Sequence, residues 1–300
     1  MAQQSVAPTD VDLLLTPLPN LQARAAAYCR RYQKAMSTVV MEERYVQLVK
    51  RWNLPPREPD VARLAWLPGA GALDRQDVNV YERRQIRADL LLVQLRDQRW
   101  WAFRDILEVN GHEEHGREDR LRKLFIQQTE DSQRQLQRIN QASATFNLGR
   151  YYREVNLPTV GLMVLQPVYI PRFSFSAGAV NRVGDASCRV IAFSETTTPT
   201  LVRTMDQRNM PLTGAACVGI DGTVWRTRIE LDGHVTARGV IEVEYGPHER
   251  VDVLVPRTMW EWYLPWRQDM YDPWGPTYIE ALATYSNLRR FMVETSEEMK

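Results

Sequence analysis

The sequence predicts an α+β fold built on a predominantly antiparallel β-sheet. Three observations point to it. Strand-like runs occupy residues 41 to 109 and most of the last third, with helix-period patterns between them. Segregated strands and helices mark an α+β chain, not a βαβ repeat. Two Asp-Gly pairs, Asp221-Gly222 and Asp232-Gly233, bracket the run Thr223 to Leu231. Asp-Gly between alternating runs signals a hairpin, because a type I′ turn needs positive φ at both central residues. Finally, Val240 to Tyr245 alternates and is answered, after Gly246 to Arg250, by Val251 to Val255. The whole reads as a β-meander.

Taken in order, residues 1 to 18 are Pro-rich and polar and are expected to form a flexible N-terminal segment. A helix is expected from Asn20 as N-cap, with Leu21, Ala25, Tyr28, Tyr32 and Met36 on one apolar stripe. Met41 to Trp52 reads as the first strand. Residues 53 to 79 hold several Pro and Gly and no period, so they read as a long insertion. Val80 to Leu95 and Trp100 to Val109 read as paired strands, and Asn110-Gly111 as a hairpin turn. Helical patterns follow at Arg117 to Phe125 and Ser132 to Leu148, with Leu136, Ile139 and Phe146 inward. Val155 to Leu165 reads as a buried helix. Phe173 to Ser176 and Ser187 to Glu195 resume the sheet, and residues 196–214 read as a second long insertion. In the meander, Trp225, Thr227, Ile229 and Leu231 should face the core, and Arg226, Arg228 and Glu230 should face water. Tyr278 to Tyr285 and Leu288 to Thr295, parted at Ser286-Asn287, close the chain. Residues 19–300 are thus read as a single domain.

The totals exclude several classes. With 44% hydrophobic and 25% charged residues the chain is globular in composition. A net charge of +1 gives no case for nucleic-acid binding, which needs a basic face. The chain has 34 Arg and four Lys, a skew that fits a GC-rich genome better than a function. No stretch approaches the roughly 20 apolar residues of a membrane span. Met1 to Ser5 lacks an apolar leader core and is read as the start of an exported chain whose signal peptide has been removed. Cys29, Cys188 and Cys217 lack metal spacing. Cys188 and Cys217 lie in predicted strands and could pair in an oxidising compartment. The reading preferred on composition is three buried free thiols.

Few motifs carry chemistry. His112-Glu113-Glu114-His115 is not HExxH and reads as a solvated charged loop rather than a metal site. Neither G-x-S-x-G, a phosphate-binding Gly loop nor C-x-x-C occurs. No nucleophile, base and orienting group can be placed together, so no enzyme, cofactor or metal is expected. The aromatic residues are more informative. Trp260, Trp262, Tyr263 and Trp266 crowd into seven positions, and in an extended strand Trp260 and Trp262 would share one face while Tyr263 takes the other. These four and Trp101 are the candidate ligand-binding residues, with core packing as the plainer alternative.

The runs Gly219 to Thr227, Val251 to Pro256 and Ala283 to Phe291, with Trp101 to Gly111 earlier, resemble exported bacterial proteins related in fold to LolA-like periplasmic lipoprotein carriers. The resemblance implies a strongly curved antiparallel half-barrel whose concave face is covered by helices. It implies a non-enzymatic, periplasmic cell-envelope protein that binds an apolar ligand, a lipid or lipoprotein acyl chain, between sheet and helices. The alternative it implies is a structural or interaction subunit whose partner is another envelope protein. The two long insertions and the Trp cluster depart from the small carriers.

Overall fold

The computed structural model of the chain describes residues 10–51, 80–94, 100–116, 141, 145–148, 153, 156–203, 208–232, 237–265 and 277–290. Among the described residues the α-helices are α1 (Asp10–Leu15), α2 (Leu18–Met36) and α3 (Val160–Val164). The strands are β1 (Val39–Arg51), β2 (Val80–Gln94), β3 (Trp100–Val109), β4 (His112–Glu113), β5 (Phe173–Val183), β6 (Ala186–Glu195), β7 (Val202–Arg203), β8 (Asn209–Met210), β9 (Leu212–Val218), β10 (Val224–Asp232), β11 (Ala237–His248), β12 (Val251–Pro265) and β13 (Thr277–Arg290).

Eleven strands form one sheet in the order β4-β3-β2-β1-β13-β12-β11-β10-β9-β6-β5. Every pairing in it is antiparallel, and the order has two ends, so the sheet does not close. The first strand meets the last in mid-sheet, with Tyr45 opposite Ala283. The expected pairing of β2 with β3 forms, with Leu90 opposite Arg104, and Asn110-Gly111 turns β3 into β4; β1 lies on β2 with Tyr45 opposite Ile86.

One face of the sheet carries α2 and α3, and the core lies between. The expected α2 stripe is buried throughout: Leu21, Ala25, Tyr28, Tyr32 and Met36 are 0–3% exposed. Each large side chain so buried contributes roughly 1.5–3 kcal/mol, the main reason a lone amphipathic helix stays docked. Alternation brings Met41, Tyr45 and Val49 of β1, Thr227, Ile229 and Leu231 of β10, and Ile279, Ala281 and Ala283 of β13 to this covered face. Leu254 N donates to Tyr28 Oη (3.1 Å), and Cys29 Sγ to the Leu162 carbonyl (3.5 Å), tying α2 to the sheet and to α3. At α3, glycine is needed for close approach: a Cβ on Gly161 would stand 2.4 Å from Thr227 Cβ.

Several expectations are corrected. The N-terminal segment is not irregular throughout, since Asp10–Leu15 is helical with Leu13 fully buried. Arg189 holds it there, donating to the carbonyls of Leu13 (3.2 Å), Leu14 (3.1 Å) and Thr16 (2.7 Å). α2 starts at Leu18 with Pro17, not Asn20, at the N-cap, because proline suits a first turn whose N–H groups are unbonded anyway. The helix expected over Val155 to Leu165 is confined to Val160–Val164, all buried. Residues 196–214 are not a bare connection: they hold the β7–β8 ribbon and the start of β9. Glu195 organises that stretch by accepting from Leu201 N (2.8 Å) and Leu212 N (3.3 Å). Asp221-Gly222 does not form a type I′ turn. Only Gly222 has positive φ (+89°), and its N–H bonds the Gly219 carbonyl (2.9 Å), a type I turn closed by a left-handed glycine. β13 runs unbroken through Ser286-Asn287, with Asn287 at φ +49°. Cys188 and Cys217 are joined in a disulfide, and only Cys29 is a free thiol. The 53–79 insertion, the Arg117 to Phe125 helix, Asp232-Gly233 as a turn, and most of the Ser132 to Leu148 helix lie outside the described residues.

Thr227, Ile229 and Leu231 of β10 face the core as expected, whereas Trp225, at a register shift between Val224 and Arg226, is only partly buried, and the opposite face is not solvated. Arg226 and Arg228 are 2% and 6% exposed. Arg226 pairs with Glu244, and Arg228 with Glu230 (2.8 Å) and Glu242 (3.4 Å). Cross-strand carboxylates on β11, in register with the arginines, replace water as their partners.

Candidate functional site

Two neighbouring regions of the covered face stand out. The first is an apolar cleft where α2 and α3 pass over the Leu92–Trp101 end of β2 and β3. Tyr32, Leu92, Trp101, Leu157, Leu162 and Met163 form most of its wall. It encloses about 460 Å³ of empty space counted out to its open mouth, but only about 20 Å³ is room for the centre of a water molecule. That is space for about one water. The Trp101 indole N–H is buried without a hydrogen-bond partner. Cys29 lies in the same wall, and burial pushes its thiol up to about 12, so it stays protonated and inert.

The second region is a buried polar cluster farther along β1. Glu43, Gln47, Arg104, Arg153, Asn156 and Glu261 are 0–3% exposed. Alternation puts Glu43 and Gln47 in phase with Tyr45, so β1 carries polar groups on its core face. Arg104 grips Glu43 with two nitrogens, Nη2 at 2.9 Å from Oε1 and Nε on Oε2. Its Nη2 also donates to the Asn156 carbonyl (2.9 Å), and its guanidinium lies 4.7 Å from the Tyr45 ring centroid. Tyr285 donates to Glu43 Oε1 (2.9 Å). Gln47 accepts from Leu148 N (2.8 Å) and from Arg153 Nη2. Asn156 Nδ2 donates to Tyr45 Oη (3.1 Å). Tyr263 donates to Glu261 Oε2 (2.7 Å) and lies under the Arg153 guanidinium at 4.9 Å. Burial pushes the Glu261 carboxyl up from its ordinary range, against the pull of Arg153. Burial likewise raises Tyr45, Tyr263 and Tyr285, so all three are neutral hydrogen-bonding groups.

The cluster holds carboxylates and arginines, but with their charges matched inside a closed interior. What it does best is hold β1, β3, β12 and β13 to the segment at Arg153 and Asn156. The sequence reading passed over it. The available signal was the charged pair Arg104-Asp105 inside the otherwise apolar run Trp101 to Leu107, together with two polar residues in phase with Tyr45.

The candidate aromatics divide. Trp101 lines the cleft. Tyr263 is on the covered face, but in the polar cluster. Trp260 and Trp262 alternate to the opposite face, half-buried, as extended geometry requires. There Trp260 Nε1 donates to Glu280 (3.0 Å), which also pairs with Lys50 (2.7 Å). Trp266 lies outside the described residues. The structure therefore does not gather the four described residues into one site. His112 and Glu113 form the two-residue strand β4, both exposed. Among the described residues no His, Cys, Asp or Glu group is arranged to hold a metal.

No family model matches the chain, and no curated protein matches it. Among solved structures, the chain is similar to a domain from Vibrio parahaemolyticus assigned to outer membrane lipoprotein sorting. Identity is 9% over 92% of this chain and 95% of that one, at a TM-score of 0.33. It is also similar to MucB in complex with MucA(peri), at 8% identity, 90% and 98% coverage and a TM-score of 0.16. The fold rests on the strand order and register above.

Proposed function

We propose that the chain is a non-enzymatic binding protein of the cell envelope that takes an apolar ligand, a lipid or lipoprotein acyl chain, between sheet and helices. The observation that carries this reading is the partly open cleft under α2 and α3, with a largely apolar wall that includes Trp101. In this reading the covered face is the concave side of a half-barrel. Of the candidate aromatics, Trp101 touches the ligand, while Trp260 and Trp262 do not. The disulfide supports export, since such bonds persist in oxidising compartments. No helix among the described residues is long and apolar enough to cross a membrane, which fits a periplasmic carrier.

The second reading, an interaction subunit of an envelope assembly, has its own observation. The cleft is filled to within about 20 Å³, well short of the few hundred Å³ of a preformed ligand pocket. A ligand would therefore lodge at the mouth or enter as α2 and α3 part from the sheet.

Native mass spectrometry of protein purified from its own host, followed by lipid extraction, tests both. A one-to-one lipid adduct is expected. A co-purified protein without lipid would favour the assembly reading and remove the carrier one.

A further inference from the structure

The two edges of the sheet are built differently. At one end β4 is two exposed residues long, and the polar Glu114 and His115 follow it. A short, charged edge is how a sheet blocks pairing with another chain. At the other end β5 is eleven residues long and bonds only to β6. Its far half is interrupted, because the register shifts between Ala177 and Val180, and Asn181 Oδ1 caps the Arg182 N–H (2.8 Å). Its near half, Phe173-Ser174-Phe175-Ser176-Ala177, is regular and carries no charge. The flanking Arg172 is turned to Glu195 (3.2 Å) and the Pro199 carbonyl. Ser174, Ser176 and Ala177 are exposed and Phe175 is half-exposed, and among the described residues no segment lies over the strip.

An unpaired strand edge presents a row of N–H and C=O groups that another extended chain can pair with along its length. The sequence of the strip matches a copy of itself. Laid antiparallel about Phe175, it sets Phe175 against Phe175, Ser174 against Ser176 and Phe173 against Ala177, with no like charges opposed. Phe175 already stacks with Phe173 (6.2 Å) and Phe193 (6.4 Å), so a second Phe175 would extend an existing aromatic group. We propose that β5 pairs with β5 of a second copy of the chain, joining two sheets edge to edge across a twofold axis at Phe175. Such an interface is isologous and closed, and it stops at two copies.

Sedimentation equilibrium on the full chain tests this, with charges placed on the exposed serines. Wild type should show a concentration-dependent monomer–dimer equilibrium. S174K/S176K opposes lysine to lysine twice and should weaken the dimer roughly tenfold. S174K/S176E opposes lysine to glutamate twice and should leave it as tight or tighter. Should the double lysine variant fail to fold, the Lys/Glu variant carries the test, and a weaker dimer in it overturns the proposal. So does wild type that stays monomeric to the solubility limit, or a dimer indifferent to both variants.

Discussion

The two regions of the covered face are held by different physics. At the cleft end, α2 and α3 meet β2 and β3 through Tyr32, Leu92, Leu162 and Met163, contacts that are apolar and without fixed direction. At the cluster end, Arg104, Glu43, Gln47, Arg153 and Asn156 meet through directed, charge-assisted bonds under complete burial. An apolar contact loosens gradually, and its lost area costs in proportion. A buried ion pair opens at once or not at all, because half-opening leaves a charge in a dry interior. The cover therefore has a pinned end and a yielding end, and a ligand between sheet and helices must come in at the yielding one.

Breaking the pinned end gives the largest expected effect. Arg104→Ala leaves Glu43 buried with Tyr285 but without its counter-charge. It should cost about 3–5 kcal/mol, read as a lower midpoint in urea unfolding. The double variant Glu43→Leu/Arg104→Met removes both charges and should recover most of that loss. A single variant within about 1 kcal/mol of wild type would mean that the pair does not pin the fold. Next comes the seat of α3. Gly161→Ala drives a Cβ to within 2.4 Å of Thr227 Cβ, so α3 must lift from β10. Overpacking of this kind costs about 1–3 kcal/mol, visible as a lower melting temperature. Unchanged melting would show that α3 rests on β10 more loosely than its buried residues imply.

The contrast between these two regions was only half legible in the sequence. Periodicity marked the strands and the α2 stripe because burial of one face leaves a repeating trace, and Leu21 to Met36 carry it plainly. It also set the register of β10, down to Thr227, Ile229 and Leu231. It could not show that Arg226 and Arg228 are dry, because the partners are carboxylates on another strand, and alternation alone cannot tell a solvated face from a paired one. The cluster was hidden for the same reason: Glu43 and Arg104 are 61 residues apart, and only the folded sheet makes them neighbours. The Trp-rich stretch misled because crowding in sequence is not crowding in space. Successive strand residues point to opposite faces, so Trp260 and Trp262 left the side that Tyr263 joined.

At the yielding end the expected stability effect is smaller and the functional one larger. Trp101 is half-buried, so Trp101→Ala should cost about 1–2 kcal/mol, below the range for a fully buried tryptophan. It should also weaken uptake of a fluorescent fatty acid at least severalfold. Trp260→Ala, on the opposite face, should leave uptake unchanged although it breaks the bond to Glu280. Equal losses in the two variants would mean that uptake does not occur at the cleft.

The smallest effect separates charge from packing within the cluster. Burial raises the Glu261 carboxyl above its ordinary value of 4.5, and Arg153 and Tyr263 only partly counter this. Between 4.5 and the raised value, the folded chain therefore holds a proton that the unfolded chain has lost. The stability that this proton contributes is fully present at acid pH and is lost as pH rises through the folded value. Glu261→Gln keeps an oxygen to accept from Tyr263 but cannot ionise. Its stability relative to wild type should be constant below about 4.5 and then improve toward neutral pH, read from urea midpoints along a pH series. A difference that stays flat from acid to neutral pH would mean that Glu261 ionises as freely as in the unfolded chain. The pinned end would then be held by Glu43 and Arg104 without strain from its second carboxylate.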